Sequence, residues 1–195
     1  MDKKGGVTAD IRSRIGKARQ NFGRLRPVWK SPKLKTKTKL RIFNSNVKSV
    51  LLYGSETWCL TKENGNRIQT FINSCLRSIL GVHYPERIRN EDLWQRTGQE
   101  PVTGEIQRRK LGWLGHVLRR DAGNPTRIAL GWNPQGTRKR GRPAHTWRRE
   151  LDKEMKEMEL SWVDLTRKAQ DRDEWRAVVR GLYSGAQGSA QGGEA

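Results

Sequence analysis

Enzymatic chemistry needs carboxylates, histidines or cysteines gathered at short spacing, and this chain spreads them apart. A polymerase or nuclease centre holds two metal ions between clustered carboxylates, yet the sequence has no Asp-Asp pair. Asp171, Asp173 and Glu174 are interleaved with Arg172 and Arg176 inside what reads as one helix, so they suit ion pairing. There is no Gly-rich phosphate loop and no Ser/His/Asp ordering. Cys59, Cys75, His83 and His116 are the residues considered for a zinc site, but their spacings are long and irregular. Cys75 falls on an apolar helix stripe, where a thiol packs as a small hydrophobe. Cys75, His83 and His116 therefore stand as weak metal candidates, and the expectation is a chain without catalysis, cofactor or small-molecule substrate.

The cations tell a different story. Forty Lys and Arg face 20 Asp and Glu, a formal charge of +20 with an isoelectric point near 10.8 on 22.5 kDa. Such a surplus repels itself in a compact state unless a polyanion offsets it, which points to RNA or DNA as partner. The cations cluster. Arg12, Lys17 and Arg19 lie off an apolar helix stripe, with Arg14 and Arg24. Lys33, Lys35, Lys37, Lys39 and Arg41 crowd a helix start, where the dipole is already positive and stability alone would not put them. Arg108, Arg109 and Lys110 follow, then Arg138, Lys139, Arg140 and Arg142 around Gly141 and before Pro143. Arg-Gly-Arg-Pro is similar to the centre of an AT-hook, whose extended arginines enter a narrow minor groove. Phosphate contact is the stronger expectation for it; a flexible basic linker and a nuclear-localisation run are its alternatives. Without Arg14 and Arg24, these 15 cations form the expected nucleic-acid-binding set.

No run of about 18 apolar residues is present to cross a bilayer, and no apolar signal segment follows Met1. Two cysteines are too few for a disulfide framework, and a nuclear or cytoplasmic protein with free thiols is expected. Hydrophobic residues make up 33% and mean hydropathy is −0.90, but eight Trp argue for real cores.

The elements that must position the cations are helical, and the expected class is mainly α. Val7, Ile11, Ile15, Ala18, Phe22 and Leu25 step by three or four along a first helix, interrupted by Pro27 and Pro32. Leu40, Phe43, Val47, Val50 and Leu51 make the inner stripe of a second helix over 36–53, which Gly54 can end. Thr61 can cap a third that runs to Gly81, and Asn90 a short one through Trp94. A helix is expected over 102–120, a Gly/Pro-rich extended linker over 121–143, and then two amphipathic helices. The second of these opens at Ser161, where Asp164 makes a pattern similar to a capping box with Asp in place of the usual Glu or Gln, and runs without a break towards Leu182. Domains are expected at 1–120 (thumb-like), 121–143 (basic linker) and 144–183 (helical), with a disordered tail over 184–195.

Taken in order, several segments resemble one family. Leu51-Leu52-Tyr53-Gly54-Ser55-Glu56-Thr57-Trp58 is similar to a signature found after the polymerase palm in reverse transcriptases of non-LTR (LINE-type) retrotransposons. Asp10-Ile11 with Arg14-Ile15 and Ala18 precedes it, and Cys75-Leu76-Arg77, Ile79-Leu80-Gly81, Arg87-Ile88 and Asn90 follow. Arg108-Arg109-Lys110-Leu111 with Trp113-Leu114-Gly115-His116-Val117 then resembles a further block. Gly141-Arg142-Pro143 with Trp147, and Ala169, Asp171-Arg172 and Trp175-Arg176, close the series. The resemblance covers most of residues 5–183.

It implies the thumb and post-thumb region, which in that family grips the template–primer duplex, without the family's Tyr-x-Asp-Asp metal site or its endonuclease. A non-catalytic, backbone-binding remnant of a truncated or domesticated element is then expected. The alternatives are an accessory thumb serving a reverse transcriptase palm in trans, a helical protein-interaction module, and a non-functional truncated reading frame.

Overall fold

In the computed structural model residues 6–131 and 146–185 are described. The chain is mainly helical, with no strand among the described residues, and no described helix is long and apolar enough to cross a membrane. It divides into two compact units, 1–106 and 107–195, rather than after residue 120.

The first unit is built on helix α1 (Gly6–Arg24), the short α2 (Arg26–Lys30), α3 (Thr36–Phe43) and α4 (Ser49–Leu51), then α5 (Lys62–Leu80), α6 (Asn90–Thr97) and the first turn of α7 (Val102–Leu118). Its core collects Ile11 and Ala18 of α1, Trp29 of α2, and the stripe Phe43, Val47 and Leu51. Against these pack Ile68, Ile72, Leu76 and Ile79 of α5, with Leu93, Val102 and Ile106. Phe22 stacks on Trp29 at 5.0 Å between ring centroids. The apolar periods of the sequence thus bury as expected, and burial of each such side chain is worth about 1.5–3 kcal/mol.

Three local departures have clear causes. Pro27 does not merely interrupt α1; it starts α2, because a proline loses no hydrogen bond in a first helical turn. The helix expected over 36–53 contains a π turn at Asn44–Lys48 between α3 and α4. There the Ile42 carbonyl accepts from Asn46 Nδ2 (3.1 Å) and Ser45 Oγ (3.2 Å), side chains that compete with the helix ladder. Asn90 is the first residue of α6 rather than its cap, its side chain being engaged elsewhere. Thr61 caps α5 as expected, its hydroxyl accepting from the Asn64 amide at 3.3 Å.

The second unit comprises the rest of α7, α8 (Pro125–Gly131), α9 (Trp147–Glu157), α10 (Trp162–Gln170) and α11 (Arg172–Gly185). Leu111, Leu114 and Leu118 of α7 pack with Leu151, Met155, Leu165, Ala169 and Trp175. Two expectations change here. Residues 125–131 of the supposed extended linker are helical, opened by Pro125, while 132–143 lie outside the described residues. The helix expected from Ser161 to Leu182 is two helices, because the Asp171 carboxylate accepts from the amides of Asp173 (2.7 Å) and Glu174 (3.0 Å) and starts α11. Ser161 caps α10, accepting from the Asp164 amide at 3.1 Å. Of the tail expected over 184–195, Ser184 and Gly185 belong to α11, and 186–195 lie outside the described residues.

Candidate nucleic-acid interface

On α1 the buried stripe fixes the opposite faces, and Arg12, Lys17 and Arg19 are all exposed. Arg14 differs. It pairs with Asp10 at 3.5 Å and lies over the Tyr53 ring at 4.6 Å, so it is committed to the fold. Arg12 and Arg19 line a groove of about 800 Å³ between α1 and α5, with Ile15, Phe22 and Phe71 as apolar lining. Arg67 on the facing helix is held by Glu63 at 2.6 Å. Cys75 also borders this groove; burial pushes its thiol up to about 12, against the pull of Arg19, so it is neither a nucleophile nor a ready metal ligand at neutral pH.

The second cluster surrounds the start of α3. Lys33, Lys35, Lys37 and Arg41 are exposed, and Lys35 stands at the N-cap position without a side-chain bond to the helix. Lys39 is the exception, its Nζ donating to the Trp29 carbonyl at 2.7 Å and so closing α2. Among the described residues none of Arg12, Lys17, Arg19, Lys33, Lys35, Lys37 and Arg41 has an acidic partner.

In the second unit the expectation for Lys110 is corrected. Its side chain is 1% exposed and pairs with Glu150 at 3.2 Å and Glu154 at 3.1 Å, joining α7 to α9 inside the protein. Position in a basic triplet gives no sign of this, because the helix turns Lys110 inward. Arg109 is exposed and Arg108 half-buried, each with interactions of its own. Burial raises the Glu154 carboxyl, while Lys110 opposes the shift. Arg119, which donates to the Ala169 carbonyl at 2.9 Å, is held below its ordinary value by burial and by Arg172 and Arg176, a cationic cluster that the sequence pattern does not single out.

His116 is exposed and shares a 3.0 Å hydrogen bond with Arg120; His83 is exposed on the connector after α5. No group of three His, Cys, Asp or Glu side chains able to hold a metal occurs among the described residues. Arg138, Lys139, Arg140 and Arg142 lie outside the described residues.

The motif residues, by contrast, hold the fold. Trp58 is 2% exposed and its Nε1 donates to Asp10 Oδ2 at 2.9 Å, so the two ends of the first motif series meet. Between them Gly54 takes φ +77°, a left-handed turn that a side chain would strain. Asn73 Oδ1 accepts from Gln69 (2.8 Å) and Trp94 (2.9 Å), and its amide donates to Asn90 Oδ1 at 3.1 Å. Arg77 reaches the same Asn90 oxygen at 2.7 Å and the Ile88 carbonyl at 3.2 Å. A β-carbon on Gly115 would collide with the Trp175 indole, whose Nε1 proton is donated to the Leu111 carbonyl at 3.0 Å. These blocks supply packing and polar closure, and the seven exposed cations of α1 and the α3 start take no part in it.

Comparison with known proteins agrees with a mobile-element background. A family model described as a domain of unknown function (DUF6451) matches residues 21–53, the stretch that holds α2, α3 and the Lys33–Arg41 cluster. The chain is 30% identical over 155 residues to an uncharacterized transposon-derived protein of Caenorhabditis elegans, with 74% of this chain and 54% of the relative covered. The chain thus spans about half the length of that relative. No solved structure matches it.

Proposed function

From a transposon-related origin, we propose that this chain grips a nucleic-acid duplex through its phosphates, as the thumb of a reverse transcriptase grips a template–primer, and does no chemistry on it. The observation that carries this reading is the set of seven exposed cations on α1 and around α3 that have no acidic partner among the described residues. Cations held on fixed helices without carboxylates repel one another, and a polyanion converts that repulsion into binding. The motif residues support the same reading from the other side. They are consumed by cores, caps and buried hydrogen bonds, which makes the first unit a firm platform for its charges.

Phosphate contacts position a protein without reading bases, so binding is sequence-tolerant, and an RNA–DNA hybrid is recognised by shape and backbone. Filter binding of the full chain to mixed-sequence duplexes and hybrids tests this. Replacing Lys33, Lys35 and Lys37 by Gln should weaken binding at least tenfold for every sequence alike, since the phosphate attraction these cations supply does not depend on sequence. Unchanged affinity in that triple variant, or no binding of any duplex or single strand at low salt, would overturn the proposal. Primer extension by the chain alone should be absent, and DNA synthesis by it would overturn the non-catalytic half.

A further inference from the structure

A groove of about 600 Å³ lies in the first unit between the start of α3 and the end of α6. Lys37 and Arg41 line one side, and Arg96 with Gln99 the other. Thr36 and Thr38 add hydroxyls, and no carboxylate is among the lining residues. The larger groove along α1 differs in this respect, because Glu63 shares its lining with the arginines. Arg96 is inconspicuous in the sequence because it stands alone in an acidic-opening helix, ahead of Gly98, with no basic neighbour. Only the fold brings it to the α3 cluster.

We infer that this groove seats a backbone phosphate of the bound nucleic acid, with Arg96 as its principal ligand beside Lys37 and Arg41, and with Gln99 as a positioned amide donor. Arg96, Lys37 and Arg41 are all exposed and none has an acidic partner among the described residues. An arginine offers the planar fork that matches a phosphate bidentately, where lysines act as point charges. Gln99 is set for its part from below. Lys48, only 7% exposed, donates to Gln99 Oε1 at 2.9 Å and pairs with Glu105 at 2.5 Å. With its oxygen held by the Lys48 ammonium, the Gln99 side chain has its NH₂ donors to offer a phosphate, which only accepts. The buried Lys48 therefore acts as a positioning residue, and its own charge is already matched by Glu105.

This inference rests on the nucleic-acid reading and names a contact within it. The test is fluorescence anisotropy of the full chain with a labelled mixed-sequence RNA–DNA hybrid, repeated over a range of salt concentrations. Arg96→Gln should lose about tenfold in affinity and lower the slope of log affinity against log salt by about one, the effect of deleting one charged phosphate contact. Arg87→Gln, an exposed cation on the connector before α6 and outside the groove, should lose less than twofold. Gln99→Ala should weaken binding about threefold with the slope unchanged, since an uncharged donor releases no counterion. Thermal melts of the variants should match that of the parent. Wild-type binding with an unchanged Arg96→Gln slope overturns the groove assignment alone, as does an equal loss for Arg87→Gln. Absence of wild-type binding overturns the nucleic-acid reading and the groove with it.

Discussion

At the scale of single residues, the tightest constraint is Gly115. A methyl group there would sit inside the envelope of the Trp175 indole and press on a ring already fixed by its 3.0 Å bond to the Leu111 carbonyl. Gly115→Ala should destabilise the second unit by about 1–3 kcal/mol through overpacking, read from its denaturant midpoint. Lys110 gives a second prediction of another kind. Removing it takes the ammonium partner from the buried Glu154 carboxylate, so Lys110→Ala should cost about 3–5 kcal/mol. Nucleic-acid affinity measured well below the melting temperature should hardly change, because Lys110 faces inward and offers no charge to a ligand. A large loss of affinity at unchanged stability would return Lys110 to the interface.

At the scale of elements, α11 depends on Asp171. The amides of Glu174 and Asp173 hold its carboxyl below the ordinary value of 3.8. Because the folded value is lowered, this support is fully present above pH 3.8 and is lost as pH falls through the folded value. Helix content of the chain should therefore drop on acidification below that point, and Asp171→Asn should remove this part of the pH dependence while keeping the cap. Circular dichroism against pH checks both.

The same helix shows what can and cannot be read from sequence. Apolar spacing locates α1, α5 and α7 and their inner faces, because burial follows the 3.6-residue period. It runs α10 and α11 together, since Leu165, Ala169, Trp175 and Val179 continue an apolar stripe across a break that is set by one carboxylate. Among the site residues, Arg12, Lys17 and Arg19 are legible as cations off a stripe. Lys110 is not, because adjacency in a basic run says nothing of which way a helix turns it. Arg96 and Gln99 are invisible for the opposite reason, as their partners lie far away in sequence and meet them only in the folded unit.

At the scale of the whole chain, charge and order divide the work. Blocks shared with the retrotransposon resemblance furnish Trp58 with Asp10, Asn90 with Arg77, and Gly115 with Trp175, and each pair closes part of a core. Outside these pairs, Arg12, Lys17, Arg19, Lys33, Lys35, Lys37 and Arg41 remain exposed on the first unit. Binding by such a surface is governed by counterion release, with log affinity falling in log salt by roughly 0.9 for each phosphate neutralised on a duplex. The decisive measurement is that slope for the full wild-type chain on duplexes of unrelated sequence. A slope of about −3 or steeper, equal across sequences, is the predicted result; a flat salt dependence, or no binding at low salt, would contradict phosphate gripping as what this protein does.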